Sequence, residues 1–259
     1  MICFYRLWWD SRGRSVPPRT NDNAGEALVK HTVANRLRKE IASGALRPGT
    51  RIVEGTWARR FGVAQGSIRE AINILAQDGF VTKTAGRSAR VVSLSEQDVL
   101  HIFQLRGVLE GLAARLVAQG PADASPLDDA LNQMRQALKD SNPENMLDGD
   151  LKFHLELCRL AGNPYLLEHA RKVILPLFAF ARITVLTTGQ TAAVWEKDIE
   201  AHQRIIDIVR EGPGELAEQY VQRAMARFGR NAYDSWEKKD SSPNPGRSRR
   251  RQAEELPAR

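Results

Sequence analysis

Residues Val63–Phe80 read VAQGSIREAINILAQDGF. Ile68, Ala71, Ile72, Leu75 and Ala76 recur at helical spacing, so one face of a helix is apolar. The other face carries Arg69, Asn73 and Gln77, with Gln65 and Ser67 near its start. Asp78-Gly79 stops the pattern, and the glycine suits a left-handed position after a helix. A short helix that is buried on one side and offers Arg, Gln, Ser and Asn on the other can lie in a DNA major groove. The same pattern describes an ordinary amphipathic surface helix, so the flanking sequence must decide.

Upstream, residues 26–43 carry Val29, Val33, Leu37 and Ile41 on one stripe and predict a helix that Gly44 closes. Pro48-Gly49 is a turn signal, and Arg51-Ile52-Val53 reads as a short extended segment. Residues 54–61 predict a second short helix, with Trp57, Ala58 and Phe61 inward and Arg59 and Arg60 outward. Downstream, FVTKT and ARVVS are short alternating strands around Ala85-Gly86-Arg87, a hairpin with a basic tip. Helix, short strand, helix, turn, helix, basic hairpin is the winged helix-turn-helix plan. On this plan Gln65, Ser67, Arg69 and Asn73 face DNA, with Arg69 at a guanine edge or a phosphate. Arg59, Arg60, Arg87 and Arg90 meet phosphates. Any one of these arginines alone reads as a solvated surface residue; their presence on both helix and hairpin carries the argument.

The charge distribution agrees. The 259 residues have a net charge of +7, unevenly spread. Residues 1–92 hold 16 basic and 7 acidic side chains, whereas residues 93–237 hold 15 and 21. A basic first third suits phosphates, and an acidic remainder suits another task. Cys3 and Cys158 stand in unrelated contexts, which excludes a disulfide framework or CxxC metal motif and suits a reducing cytoplasm. No apolar run reaches membrane-spanning length, and the N-terminus is too interrupted by charge for a secretory signal.

The run LRKEIASGALRPGTRIVEGTWARRFGV, then SIREAINILAQDGFV and GRSARV, resembles the DNA-binding domain of the GntR family of bacterial regulators over about residues 28–92. That family's turn commonly reads G-V-S-R-T-P-V-R-E-A-L; here it is Gly62-Val63-Ala64-Gln65-Gly66-Ser67-Ile68-Arg69-Glu70-Ala71-Ile72. Arg69 carries over. The earlier Arg is replaced by Gln65, which can read adenine bidentately. The N-capping Ser is replaced by Ala64, a loss of about 1 kcal/mol unless Ser67 caps a later start. Gly55-Thr56-Trp57-Ala58 stands where the family tends to have a charged pair followed by Leu-Ala.

From Ser95 the pattern is almost entirely helical. Ser95 and Asp98 make a capping-box-like start, and helices are expected to about Ala118 and over 124–140, 144–161, 164–187, 191–211 and 214–236. Asn163 is placed to cap the helix that begins at Pro164. Asp150 and His154 lie four apart on one helical face, and His202 follows on a later helix. Such a set suits a first-row divalent metal, although each histidine alone reads more readily as a polar surface or hydrogen-bonded residue. Residues 95–235 resemble the FCD ligand-binding domain of the FadR-type branch, through FQLRGVLE (103–110), DLKFH (150–154), GNP (162–164) and EAH (200–202). The resemblance implies a metal (Zn, Ni or Mn) held by an Asp and three His, with a carboxylate effector completing the site. Asp150, His154 and His202 match three of the four; Ala224 stands where the fourth is expected. Arg106 and Asn163 become candidate effector contacts, with an i+4 ion pair to Glu110 as the alternative for Arg106.

The expected chain is therefore mainly α: a disordered arm (1–24), a winged helix-turn-helix (25–93), a helical effector-binding and dimerisation bundle (95–236) and a disordered basic tail (237–259). The expected function is a cytoplasmic, homodimeric regulator, not an enzyme. It would bind double-stranded DNA at a palindromic operator, respond to a small molecule and engage no membrane. A metal-dependent enzyme built on the bundle, or an architectural DNA-binding protein with a vestigial sensor, are the competing readings.

Overall fold

The computed structural model describes residues 22–83, 89–188 and 195–240, with side chains from Val29 to Arg230 within those limits except 185–188. The first module consists of α1 (Asp22–Ala42), β1 (Arg51–Ile52), α2 (Glu54–Phe61), α3 (Gln65–Gln77), β2 (Val81–Thr82) and β3 (Ala89–Val91). α1 starts earlier than the expected Glu26, within the expected arm. α3 starts at Gln65 with Ala64 as its N-cap and no side-chain bond there. Ser67 lies inside the first turn, so the later, Ser-capped start does not occur. Its N–H instead donates to the Ala64 carbonyl at 3.1 Å.

The hairpin strands β2 and β3 pair antiparallel, Val81 opposite Val91. β1 adds to the far side of β3, with Arg51 opposite Arg90. The order β1-β3-β2 thus places the extended segment before α2 in the same sheet as the hairpin. Residues 84–88, which include the Arg87 expected at the hairpin tip, lie outside the described residues, as do 1–21, 189–194 and 241–259.

The second module is α4 (Glu96–Gln119), α5 (Ser125–Lys139), α6 (Pro143–Leu160), α7 (Pro164–Thr188), α8 (Trp195–Glu211) and α9 (Gly214–Asp240). The capping box at α4 forms as expected, with the Asp98 N–H on Ser95 Oγ at 3.1 Å and the Ser95 N–H on Asp98 Oδ2 at 2.8 Å. α9 runs past residue 236 into Glu237, Lys238 and Lys239, which are good helix formers. α4 and α9 pack along their length because α4 offers Gly107 and Gly111; a Cβ on Gly111 would sit 3.2 Å from the Glu218 carbonyl oxygen.

Two cores form. Leu127, Leu131, Met134, Phe153, Leu157, Ile174, Phe178 and Ile205 belong to the bundle core. Leu37, Ile41, Ile68, Leu75, Val81 and Val91 belong to the first module's core, together with Ala179, Phe180 and Ile183 from α7. α7 therefore serves both cores. Pro176 lies inside it and cannot donate to the Lys172 carbonyl. At that point the turn after α3 touches the helix: a Cβ on Gly79 would lie 2.4 Å from the Leu175 carbonyl carbon and 2.6 Å from Pro176 N. Gly79 also has φ +79°, which costs other residues about 1–2 kcal/mol.

Gly79→Ala is expected to destabilise the protein by more than that conformational cost, because the methyl has no space against α7. Gly62→Ala isolates the conformational term, since Gly62 has φ +68° but nothing within 4 Å of an added Cβ. Thermal unfolding should show a clearly larger loss for Gly79→Ala; equal losses would mean that the contact with α7 contributes nothing.

Candidate functional site

The polar face of α3 lies on the surface. Gln65 and Arg69 are exposed; Ser67 and Asn73 are half-buried beside them. The Arg69 Nε and Nη2 donate to Glu54 Oε1 at 3.2 Å and Oε2 at 2.8 Å, across to the first residue of α2. Asn73 Oδ1 accepts from Lys83 Nζ at 2.6 Å, which ties α3 to the segment after β2. Arg59 is exposed beside this face. Two arginines assigned to phosphates also have structural partners. Arg60 forks onto both oxygens of Glu40 at 2.9 Å and lies over the Trp57 ring, joining α2 to α1. Arg90 donates to the Gly49 carbonyl at 2.9 Å and holds the turn before β1.

Inside the bundle, α4, α6 and α8 bring a donor cluster together, and α7 covers it. Asp150 Oδ1 lies 3.0 Å from His154 Nε2 and 3.2 Å from His202 Nε2, and the two Nε2 atoms are 3.3 Å apart. A metal with bonds of about 2.1 Å needs neighbouring ligands about 2.9 Å apart in octahedral and about 3.4 Å in tetrahedral geometry. The triangle fits one face of either. Asp150 Oδ1 is buried without an aligned hydrogen-bond donor, despite the two ring nitrogens beside it. Each imidazole is also turned by its other nitrogen. His202 Nδ1 bonds the Asp198 carbonyl at 2.6 Å, and His154 Nδ1 lies 2.5 Å from Glu110 Oε2. The bond to the Asp198 carbonyl fixes the His202 tautomer and leaves its Nε2 for a ligand, whereas the Glu110–His154 contact is a close ion pair without hydrogen-bond alignment. Phe153 packs edge-on against His202 at 4.6 Å, and Phe178 lies 6.0 Å from His154.

Glu110 is the residue that the sequence reading noticed only as an ion-pair partner. It is fully buried, and Arg106 Nε donates to its Oε1 at 2.6 Å. Burial alone would raise its carboxyl, but Arg106 and His154 overcome this and hold it down at about 2. Burial likewise opposes the charge on His154, yet Glu110 and Asp150 raise its pKa. Burial, then the neighbouring Asp150 charge, push the Asp198 carboxyl up to about 6. Carboxylates crowd this region, a charge balance that a divalent cation would offset.

Arg106 forms the ion pair anticipated as its alternative role, yet its Nη2 is buried without a hydrogen-bond partner. Its guanidinium lies over Phe103 and Phe178, at 5.1 and 5.5 Å from the ring centroids. Asn163 Oδ1 caps α7, accepting from the N–H groups of Tyr165 and Leu166 at 3.1 Å. Those bonds give Asn163 a structural place, and none of them reaches the cluster. Ala224, on α9, is buried and supplies no donor. Among the described residues the donor group is Asp150, His154 and His202 alone. Also among the described residues, no helix is long and apolar enough to cross a membrane.

A winged helix-turn-helix fused to a helical bundle with a buried donor cluster is the architecture of a ligand-responsive DNA-binding transcription regulator. Residues 29–91 match the bacterial regulatory proteins, gntR family, and residues 101–227 match the FCD domain. An uncharacterised HTH-type transcriptional regulator of Bacillus subtilis, YdhC, is 31% identical over 193 residues, 72% of this chain and 83% of the relative. A probable D-xylose utilization operon transcriptional repressor of Paenarthrobacter nicotinovorans is 26% identical, over 80% of this chain and 92% of its own. The solved structure of Escherichia coli McbR/YncC has the same fold, with TM-score 0.62 at 19% identity over 80% of this chain and 98% of that one. The chain belongs to the GntR family of bacterial regulators, in the branch that carries an FCD domain.

If Asp150, His154 and His202 hold Zn²⁺, Glu110→Gln should weaken its binding by about 10- to 100-fold, because the amide orients His154 less strongly and adds no charge. Competition with a chromophoric chelator measures this, with circular dichroism confirming the fold. Unchanged affinity would remove Glu110 from the site. A parallel expectation follows for stability: the Glu110 carboxyl is held below its unfolded value, so its contribution is present above about pH 4.3 and lost toward about pH 2.

Proposed function

We propose that this protein is a cytoplasmic, homodimeric repressor whose bundle binds a small carboxylate and whose two α3 helices read the half-sites of a palindromic operator. The observation that carries the sensor part is the convergence of Asp150 Oδ1, His154 Nε2 and His202 Nε2 on one point in the bundle. These three residues would hold a divalent metal such as Zn²⁺, Ni²⁺ or Mn²⁺. With three protein ligands, such an ion keeps positions open for a carboxylate oxygen. Arg106, with Nη2 still unpartnered, supports the choice of an anion. What supports a homodimer is the exposed apolar stripe Leu105, Val108 and Leu112 along α4, since a two-fold pair presents the same stripe twice. A two-fold protein imposes an approximate two-fold on its DNA site. The working division is a DNA-binding domain at 25–93 and a sensor at 95–236. Ligand binding changes DNA affinity only if the two DNA-binding geometries differ in ligand affinity.

Selection from genomic fragments at two salt concentrations tests the DNA part. One palindromic site that survives the higher salt is expected; uniform binding that disappears with salt would mean phosphate contacts only. On the selected site, Arg69→Ala should lose affinity by about 1–3 kcal/mol, and unchanged binding would defeat its assignment. For the sensor, His154→Ala and His202→Ala should each abolish tight Zn²⁺ binding in calorimetry. Metal binding that persists in both variants would reject the cluster as its site.

A further inference from the structure

Arg69 and Gln65 lie one turn apart on the exposed face of α3, and both rest on the first two residues of α2. Glu54 takes the Nε and Nη2 of Arg69 with its two oxygens, at 3.2 and 2.8 Å. Gly55 provides the space beside Gln65, whose Nε2 is 2.9 Å from the position of a Cβ on residue 55. A guanidinium carries five N–H donors in a planar fork with more than one bidentate edge. Glu54 occupies the side edge. The end edge, formed by Nη1 and the second N–H of Nη2, remains available, and Arg69 is 60% exposed.

We propose that Glu54 is a positioning residue for DNA recognition: it holds Arg69 by the side of its guanidinium so that the end edge is aimed at a pair of acceptors on the duplex. The inference rests on the reading of α3 as the DNA-facing helix. Two acceptor pairs have the matching chemistry: guanine O6 with N7, and two phosphate oxygens. A long arginine side chain must give up many rotamers to make either contact. Holding it in advance lowers that cost at the moment of binding. Gly55 extends the same platform to Gln65, whose amide occupies the space a side chain at residue 55 would fill. Simple charge counting gives the opposite expectation. A carboxylate near DNA repels phosphates, so its removal should strengthen binding to every duplex.

The two expectations separate in one experiment on the full chain. Wild type, Glu54→Gln and Glu70→Gln are each used to select sequences from a random duplex library. Affinities are then measured by fluorescence anisotropy for the wild-type selected duplex and a shuffled one. Glu70→Gln makes the same charge change on α3 without removing a hydrogen bond to Arg69. Positioning predicts that Glu54→Gln binds the selected duplex about 3- to 10-fold more weakly than wild type. If the acceptors are on guanine, the loss is confined to the selected duplex and the selected motif relaxes at one base position. If they are phosphate oxygens, both duplexes lose affinity alike and the motif is unchanged. A gain on both duplexes, matching Glu70→Gln, overturns the proposal, and so does an unchanged affinity on both. Failure of the wild type to enrich any sequence would count against the specific-regulator reading instead. The affinities of the three proteins for one arbitrary duplex then decide whether Glu54 acts through Arg69: a loss for Glu54→Gln alone fits positioning against phosphate oxygens, and a gain matching Glu70→Gln overturns it. Matching melting curves for the three proteins keep the comparison free of folding effects.

Discussion

The turn that ends α3 sits directly on the backbone of α7. Gly79 has no side chain, and none would fit, because Leu175 and Pro176 occupy the space. α7 is long enough to serve two cores. Ile174 and Phe178 face the bundle, while Ala179, Phe180 and Ile183 complete the core beneath α1 and α3. A shift of α7 therefore cannot be absorbed on one side alone, since packed interiors transmit displacement. Phe178 also lies beside His154 and Arg106, so the same helix borders the donor cluster and the DNA-binding module.

The donor cluster obeys a second constraint, that buried charges must be paired or coordinated. Arg106, Glu110 and His154 form a continuous line from α4 to α6, and Asp150 and His202 complete it. Each contact limits the next. Arg106 fixes Glu110, Glu110 turns the His154 ring, and the Asp198 carbonyl turns His202. The outcome is two Nε2 atoms and a carboxylate oxygen directed at one point. Ala224 at the position of the expected fourth ligand leaves this a three-donor arrangement.

On the DNA side, charge is less free than composition suggests. Arg60 pairs with Glu40, Arg69 with Glu54, and Arg90 with the Gly49 carbonyl. Exposed ion pairs such as Arg60–Glu40 and Arg69–Glu54 contribute only about 0–1 kcal/mol to stability. Their geometric effect is the larger one, because they decide where each guanidinium points.

Much of this was legible in the linear chain. Apolar spacing located α2, α3 and the bundle helices, since burial of one face imposes a 3.6-residue period. Ser95 and Asn163 announced their caps because capping is a local interaction. Asp150, His154 and His202 were recognisable because Asp150 and His154 share a helical face and the family motif supplies His202. Other features depended on tertiary structure. The pairing of β1 with β3 joins residues far apart in sequence, and no two-residue strand reveals its partner. In sequence Glu110 is half of an i, i+4 ion pair with Arg106; only the packing of α6 on α4 brings it against His154. Gly79 read as a helix stop, and its contact with α7 exists only once both modules are folded. The sequence determined the elements and the residue types because these follow from local periodicity and chemistry. Which side chains meet, and which helix the two cores share, was decided by long-range packing.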